Sequence, residues 1–198
     1  MNEFPDPGGP ELVSVVIPAH NEESFMASAV MEVTKGMRQR GPFELILVEN
    51  GSNDATADLA RDLERDIDEV RALSMPDPDY GRALRAGLLA AQGSVVAIFD
   101  MDFYDLDFFD RAIARIRGTD QKGDAPVIVV ATKRGEGSVD TRVWSRRLVT
   151  RSFSLLLRYG FGLRVSDTHG MKVLYRPAIL AHAQACRFGT DIFDTELI

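Results

Sequence analysis

Apolar residues along the chain fall into short, largely β-branched runs separated by longer stretches of helical spacing. Leu12 to Pro18 reads LVSVVIP, a run ended by proline, and Phe43 to Val48 reads FELILV. Continuous apolar runs of this length, bounded by turn residues, predict strands buried on both faces. Between them, Asn21-Glu22-Glu23 precedes a helical stretch to about Arg40, which Gly41-Pro42 stops. Asn50-Gly51-Ser52-Asn53-Asp54 has turn composition and predicts the cap of a second helix, Ala55 to about Asp68, and Val70 to Leu73 predicts a third strand. A helix from about Gly81 to Ala91 ends at Gln92-Gly93. Ser94 to Phe99 is then a strand that delivers Asp100-Met101-Asp102 at its carboxyl end. Phe108 to Arg117 and Asp140 to Tyr159 predict further helices, and Val127 to Ala131 a further strand.

Strands and helices alternating at these lengths predict an α/β fold: an open, Rossmann-like, mostly parallel sheet flanked by helices, with ligands bound beyond the carboxyl ends of its strands. Polar clusters lie at three such ends: His20 to Glu22, Glu49 with Asn50, and Asp100 with Asp102. They are expected to converge on one crevice. Two carboxylates one residue apart after an apolar strand offer oxygen ligands to a hard cation such as Mg2+ or Mn2+. A cation held there, with a diphosphate supplying further oxygens, stabilises negative charge on a nucleotide diphosphate leaving group without proton transfer. The bare Asp-X-Asp fits a polar loop capping the next helix better, and only its context favours the cation.

A chain of 198 residues with 45% hydrophobic content is enough for one core. The expected organisation is a flexible lead over residues 1–11 and one domain over 12–198. The chain stops at Asp194-Thr195-Glu196-Leu197-Ile198 without a helix stop signal, which predicts a domain cut short at its C-terminus. One cysteine, Cys186, rules out an internal disulfide, and the acidic, proline-containing start is unlike a secretory signal. A cytoplasmic location is therefore expected. No apolar stretch approaches the roughly 18 residues needed to span a bilayer. Arg147, Arg151 and Arg158 interrupt the best candidate.

The formal charge of −7 conceals a basic island. Between Lys133 and Arg187 the acids are only Glu136, Asp140 and Asp167, against eleven Lys or Arg. Such a surface is either a solvated face or an attractor of phosphorylated ligands and anionic membranes. The helix Asp140 to Tyr159, with Arg142, Arg146, Arg147 and Arg151, fits either packing on the sheet or lying on a membrane surface. Nucleic acid is not an expected partner, because acidic balance and scattered aromatics offer no stacking platform.

Four segments in order carry a family resemblance: VSVVIPAHNEE (Val13 to Glu23), ILVENGSNDAT (Ile46 to Thr56), YGRALRAGLLAAQGSVVAIFDMD (Tyr80 to Asp102) and SDTHGMKVLYR (Ser166 to Arg176), followed by FDTEL (Phe193 to Leu197). Together they resemble glycosyltransferase family 2, especially its polyprenyl-phosphate sugar transferase branch, typified by dolichol-phosphate mannosyltransferase. The resemblance implies a GT-A-type fold and an inverting, metal-dependent transfer of sugar from a UDP- or GDP-linked donor to an acceptor. A polyprenyl phosphate, met by a protein peripheral at the inner face of the membrane, is one such acceptor.

Residue by residue, the resemblance implies that Pro18, His20 and Glu22 line the base and ribose pocket, and that Glu49 hydrogen-bonds the base. Asp100 becomes a ribose or metal-side carboxylate and Asp102 a direct metal ligand. Arg134, Arg147 and Lys172 match basic positions near the diphosphate or acceptor phosphate. Asp167 is placed to orient the acceptor, and with Glu196 it is a candidate base should the acceptor be a hydroxyl. Histidine stands at 20 where the family carries tyrosine, Glu49-Asn50 replaces Asp-Asp, and Met171 replaces phenylalanine. These departures leave the donor open. Two other readings stand beside this one: a sugar nucleotidyltransferase, whose usual glycine-rich first loop PAHNEE lacks, and a catalytically incomplete fragment that binds nucleotide sugar.

Overall fold

The structure, a computed structural model, describes residues 11–118, 126–131 and 170–185. The first βαβ unit is β1 (Val13–Ala19), α1 (Met26–Arg38) and β2 (Phe43–Asn50). It is followed by α2 (Thr56–Asp66), β3 (Val70–Met75), α3 (Tyr80–Ala90) and β4 (Val95–Ile98). Then come α4 (Leu106–Ile116), β5 (Ile128–Val130), β6 (Lys172–Tyr175) and α5 (Arg176–Ala185). The strands form one sheet in the order β3-β2-β1-β4-β6-β5. β1 pairs in parallel with β2 on one side and β4 on the other, and β2 pairs in parallel with β3.

Alternation along each strand divides the core into two layers. Val13, Val15, Ile17 and Ala19 of β1, Leu45 and Leu47 of β2, and Val95 and Ala97 of β4 face one side. There they meet Met26, Ala29, Val30, Val33 and Met37 of α1 and Phe109, Ala112 and Ile116 of α4. Val16, Ile46, Val48, Val96 and Ile98 face the other side and meet Ala83, Leu84 and Leu88 of α3 and Ile179 and Ala183 of α5. The buried positions of α1 recur every three or four residues, which is why that stretch is a helix with one face on the sheet. Gly87 lets α3 lie close, since a Cβ there would collide with the stiff side chain of Val16.

Among the described residues the predicted elements form, with two differences. α1 starts at Met26, after Asn21-Glu22-Glu23 as expected, where the side chains of Asn21 and Glu23 bond to the loop after β2 and Asn21 adopts a left-handed φ of 57°. β2 runs on to Asn50. The run Lys172–Tyr175 forms β6, inserted antiparallel between β4 and β5. The sheet is thus parallel from β3 to β4 and antiparallel beyond. Glu11 accepts hydrogen bonds from Ser94 and from Arg117, the latter at 2.7 Å, and so fastens the start of the described chain to the end of α4. The predicted helix Asp140 to Tyr159 and Cys186 lie outside the described residues.

At the amino ends of the strands sits a buried polar knot. Glu44 Oε1 accepts from the Ser14 hydroxyl and from the Gln92 N–H, each at 2.6 Å, while Oε2 accepts from Arg71 at 2.7 Å. Ser14 Oγ in turn accepts the N–H of Gly93, where a Cβ would lie 2.6 Å from the Leu12 carbonyl oxygen. Burial opposes ionisation of Glu44, but the bonds from Ser14, Gln92 and Arg71 outweigh it and hold its carboxyl below the ordinary value. A group whose folded pKa is depressed stabilises fully above its unfolded pKa and loses that contribution as pH falls through the folded value. Glu44→Gln is therefore expected to lower stability by about 1.5–3 kcal/mol at neutral pH. The deficit relative to the native chain, read from urea unfolding, should shrink as pH falls below the carboxylate value of 4.5; a deficit constant with pH would contradict this account.

Candidate active site

Strand order reverses at β1: the chain moves outward through β2 and β3, then returns through α3 to place β4 on the opposite side. That switch opens a crevice beyond the carboxyl ends of β1, β2 and β4. His20 to Glu23, Glu49 to Thr56 and Asp100 to Phe103 form its floor and walls.

Two of these segments are bonded to each other mainly by side chains reaching across to backbone. Asn21 N–H donates to Ser52 Oγ at 3.1 Å, and Asn53 N–H donates to Asn21 Oδ1 at 2.9 Å. Glu22 N–H donates to Thr56 Oγ1 at 2.7 Å, and Ala55 N–H to Glu23 Oε2 at 3.0 Å. Asp54 Oδ1 accepts Thr56 N–H at 3.0 Å. Its bonds with Thr56 hold the Asp54 carboxyl below the usual range. Loops that leave parallel strands have N–H groups without ladder partners, and these short polar side chains supply them.

Glu49 is buried, 3% exposed, so whatever it does depends on its immediate partners. Oε1 accepts Ser52 N–H at 2.6 Å and Oε2 accepts the Ser74 hydroxyl at 2.5 Å. Burial acts to raise its pKa, yet the bonds from Ser52 and Ser74 and the nearby His20 prevail, and the carboxyl stays below the ordinary value. Asn50 Oδ1 accepts Asp79 N–H at 2.7 Å, which brings the start of α3 against the loop. Gly51 has φ of 61°, and a Cβ on it would lie 2.7 Å from Pro78 N.

His20 is exposed at the mouth. Its Nδ1 lies 2.7 Å from the Asn50 carbonyl oxygen, which only accepts, so Nδ1 carries the proton. Nε2 is then the acceptor for Asn21 Nδ2 at 3.1 Å. Asn21 is oriented independently, because its Oδ1 already accepts from Asn53.

Across the crevice, Asp100 pairs its backbone with Phe103 through two 3.2 Å hydrogen bonds, and its Oδ1 accepts the Tyr80 phenol at 3.1 Å. Asp102 is exposed. Partial burial raises the pKa of Glu22, and the negative charges of Asp102 and Asp54 raise it further, with His20 opposing. The loops after β1 and β4 thus share one negative field. Hard oxygen donors in such a field fit a divalent cation. Among the described residues no three His, Cys, Asp or Glu side chains gather as a ready metal cage. A cation held by two carboxylates alone would take its remaining oxygens from water or ligand phosphates, the pattern usual for Mg2+.

Of the residues singled out from the sequence, His20, Glu22, Glu49, Asp100 and Asp102 are assembled around one crevice. Pro18 is buried at the end of β1, opposite Val48. Lys172 is wholly buried on β6, opposite Ile98 of β4, and donates from Nζ to the Gly170 carbonyl at 3.0 Å. Arg134, Arg147, Asp167 and Glu196 lie outside the described residues. Asn50, expected at the crevice with Glu49, is there, whereas Tyr80 and Ser74 are not among the residues singled out from the sequence. Tyr80 carried a readable signal, a phenol in the first turn of a helix leading into the Asp-X-Asp strand, whereas nothing local marks Ser74.

Known proteins agree with this architecture. A family model described as glycosyl transferase family 2 matches residues 14–182. An undecaprenyl-phosphate 4-deoxy-4-formamido-L-arabinose transferase of Pseudomonas fluorescens (strain Pf0-1) is 30% identical over 178 residues, covering 88% of this chain and 50% of that protein. An uncharacterized glycosyltransferase of Mycobacterium bovis is 29% identical over 179 residues, covering 86% of this chain and 70% of that protein. The chain spans about half the length of the undecaprenyl-phosphate relatives. Glucosyl-3-phosphoglycerate synthase from Mycobacterium tuberculosis, in complex with UDP, superposes with a TM-score of 0.57 at 25% identity, covering 85% of this chain and 58% of that one. A mannosyltransferase from Pyrobaculum calidifontis, in complex with GDP-Man and Mn2+, gives 0.58 at 19% identity, covering 91% and 49%. At that identity the second shares the fold alone, which is the GT-A fold.

Two measurements check the loop geometry. Nitrogen-15 NMR of the neutral His20 imidazole should show Nδ1 protonated; an Nε2-protonated ring would contradict the Asn50 and Asn21 contacts. Gly51→Ala should lower stability by at least about 1–2 kcal/mol in urea unfolding, the cost of a left-handed backbone at a residue with a Cβ, and unaltered stability would refute the close approach of Pro78.

Proposed function

The chain belongs to glycosyl transferase family 2, and from that premise we propose that its crevice binds a nucleotide-diphosphate sugar and, with Mg2+ or Mn2+, transfers the sugar with inversion to an acceptor. The observation that carries the proposal is the convergence of Glu22, Glu49, Asp100 and Asp102 at the switch between β1 and β4. In this reading Pro18, His20 and Glu22 line the base and ribose side. Glu49 braces the loop while each of its oxygens keeps a second lone pair with which to accept from a base N–H. Asp100 and Asp102 hold the cation, which when bound offsets charge developing on the departing diphosphate.

Solved neighbours with UDP, or with GDP-Man and Mn2+, support a donor of this class. The acceptor we propose is a polyprenyl phosphate, the kind of molecule named for the Pseudomonas fluorescens relative. A phosphate oxygen is already an anionic nucleophile and needs no strong base, so the base role of Asp167 and Glu196 belongs to a hydroxyl acceptor; Arg134 and Arg147 would offset the phosphate charge, whereas Lys172 is buried away from it. No helix among the described residues is long and apolar enough to cross a membrane. Access to a lipid phosphate is then proposed through peripheral association at the inner face.

Calorimetric titration of UDP-glucose and of GDP-mannose, with and without Mn2+, tests the donor side. One donor should bind in a metal-dependent manner, and Asp102→Ala should abolish the metal dependence. Failure of both donors to bind would sink the proposal for these nucleotides, and binding without transfer to a polyprenyl phosphate would reduce it to a nucleotide-sugar-binding unit.

A further inference from the structure

The first turn of α3 reaches both halves of the crevice floor. Asp79 donates its N–H to Asn50 Oδ1 on the nucleotide side, and the next residue, Tyr80, donates its phenol to Asp100 Oδ1 on the cation side. These donors sit on a helix end with little freedom. Asp79 caps α3 by accepting Arg82 N–H at 2.8 Å. The preceding segment abuts Gly51, and Leu84 and Leu88 bed the helix on the sheet.

The two carboxylates of the Asp-X-Asp are held very differently. Asp100 is half-buried, with backbone bonds to Phe103 and a phenol on Oδ1. A hydrogen bond to one carboxylate oxygen fixes the plane of the group, and so the direction in which the other oxygen points. Oδ2 accepts no hydrogen bond among the described residues. Asp102 is exposed, and no described residue donates to its carboxylate. Asp100 is therefore oriented in advance, and Asp102 has to be ordered by whatever binds.

We propose that Tyr80 is a positioning residue for cation binding: its hydroxyl fixes the carboxylate of Asp100, which together with Asp102 would hold a divalent ion. The inference rests on the crevice being a metal-dependent nucleotide site. It adds a residue that acts through Asp100, and a division of labour between the two aspartates. Because the neighbouring Asp79–Asn50 bond rides on the same turn, the cation's carboxylate and the nucleotide loop are set by one rigid body.

Tyr80→Phe removes the hydroxyl and keeps the ring. Mn2+ binding is read from the electron paramagnetic resonance signal of the free ion, in the presence and absence of UDP or GDP. Loss of an outer partner of a metal ligand weakens metal affinity about 10–100-fold, so the Mn2+ Kd should rise by that factor. The melting temperature and metal-free nucleotide affinity should stay as in the native chain. In an Asp100→Ala background, deleting the phenol should change the Mn2+ Kd by less than about twofold, since the hydroxyl acts through Asp100. An unchanged Mn2+ Kd in Tyr80→Phe, or equal losses in both backgrounds, overturns the proposal. A lowered melting temperature with parallel loss of metal-free nucleotide binding does so too, by revealing a merely structural role. If the native chain binds no Mn2+ at all, the metal-dependent reading of the crevice itself falls, which is visible without any variant.

Discussion

Seven consecutive residues of β1, Val13 to Ala19, are buried between parallel neighbours, and the rest of the molecule is arranged around that constraint. A strand covered on both faces and paired on both edges can expose nothing except its ends. The chain must therefore place its polar chemistry in the loops that leave β1, β2 and β4. Since the three strands run the same way, those loops emerge together. The sheet thus gathers residues as far apart in sequence as His20 and Asp102 without either making a long-range bond to the other.

The acids of the crevice divide into those that hold the loops and those that face the opening. Glu23, Glu49 and Asp54 spend their oxygens on backbone N–H groups or neighbouring hydroxyls. Asp102 and Glu22 stay in one another's field, and burial together with that repulsion raises the pKa of Glu22. A cation entering such a field would leave the loops beneath unmoved, because they are already braced. Rigidity of the floor and openness of the mouth come from the same short polar motifs.

Much of this was legible beforehand. Apolar runs located β1, β2 and β4 within a residue or two, and helical spacing located α2, α3 and α4. Asn21-Glu22-Glu23 precedes α1, as its composition predicts, and Asn21 and Glu23 bond across to the loop after β2. β6 was not marked as a strand. It is four residues long and opens on a charged lysine, and its place in the sheet comes from pairing with Ile98 and Val130, which no local pattern encodes. The crevice was readable in outline because it rests on motifs contiguous in sequence. The Tyr80–Asp100 contact was not, since it depends on how α3 lies over the sheet.

The position of β6 also governs the order in which the fold can be made. Val95 to Ile98 pairs with Val13 to Val16 on one edge and waits for Lys172 to Tyr175 on the other. During synthesis the parallel half can assemble as soon as β4 has appeared, whereas its outer edge stays open until residue 175 has left the ribosome. Domains form progressively as the chain emerges, and an unpaired, apolar strand edge is a template for any extended segment nearby. The interval between β4 and β6 is thus the period in which the nascent chain is most exposed to mispairing, and closing it depends on the basic segment that contains Lys172.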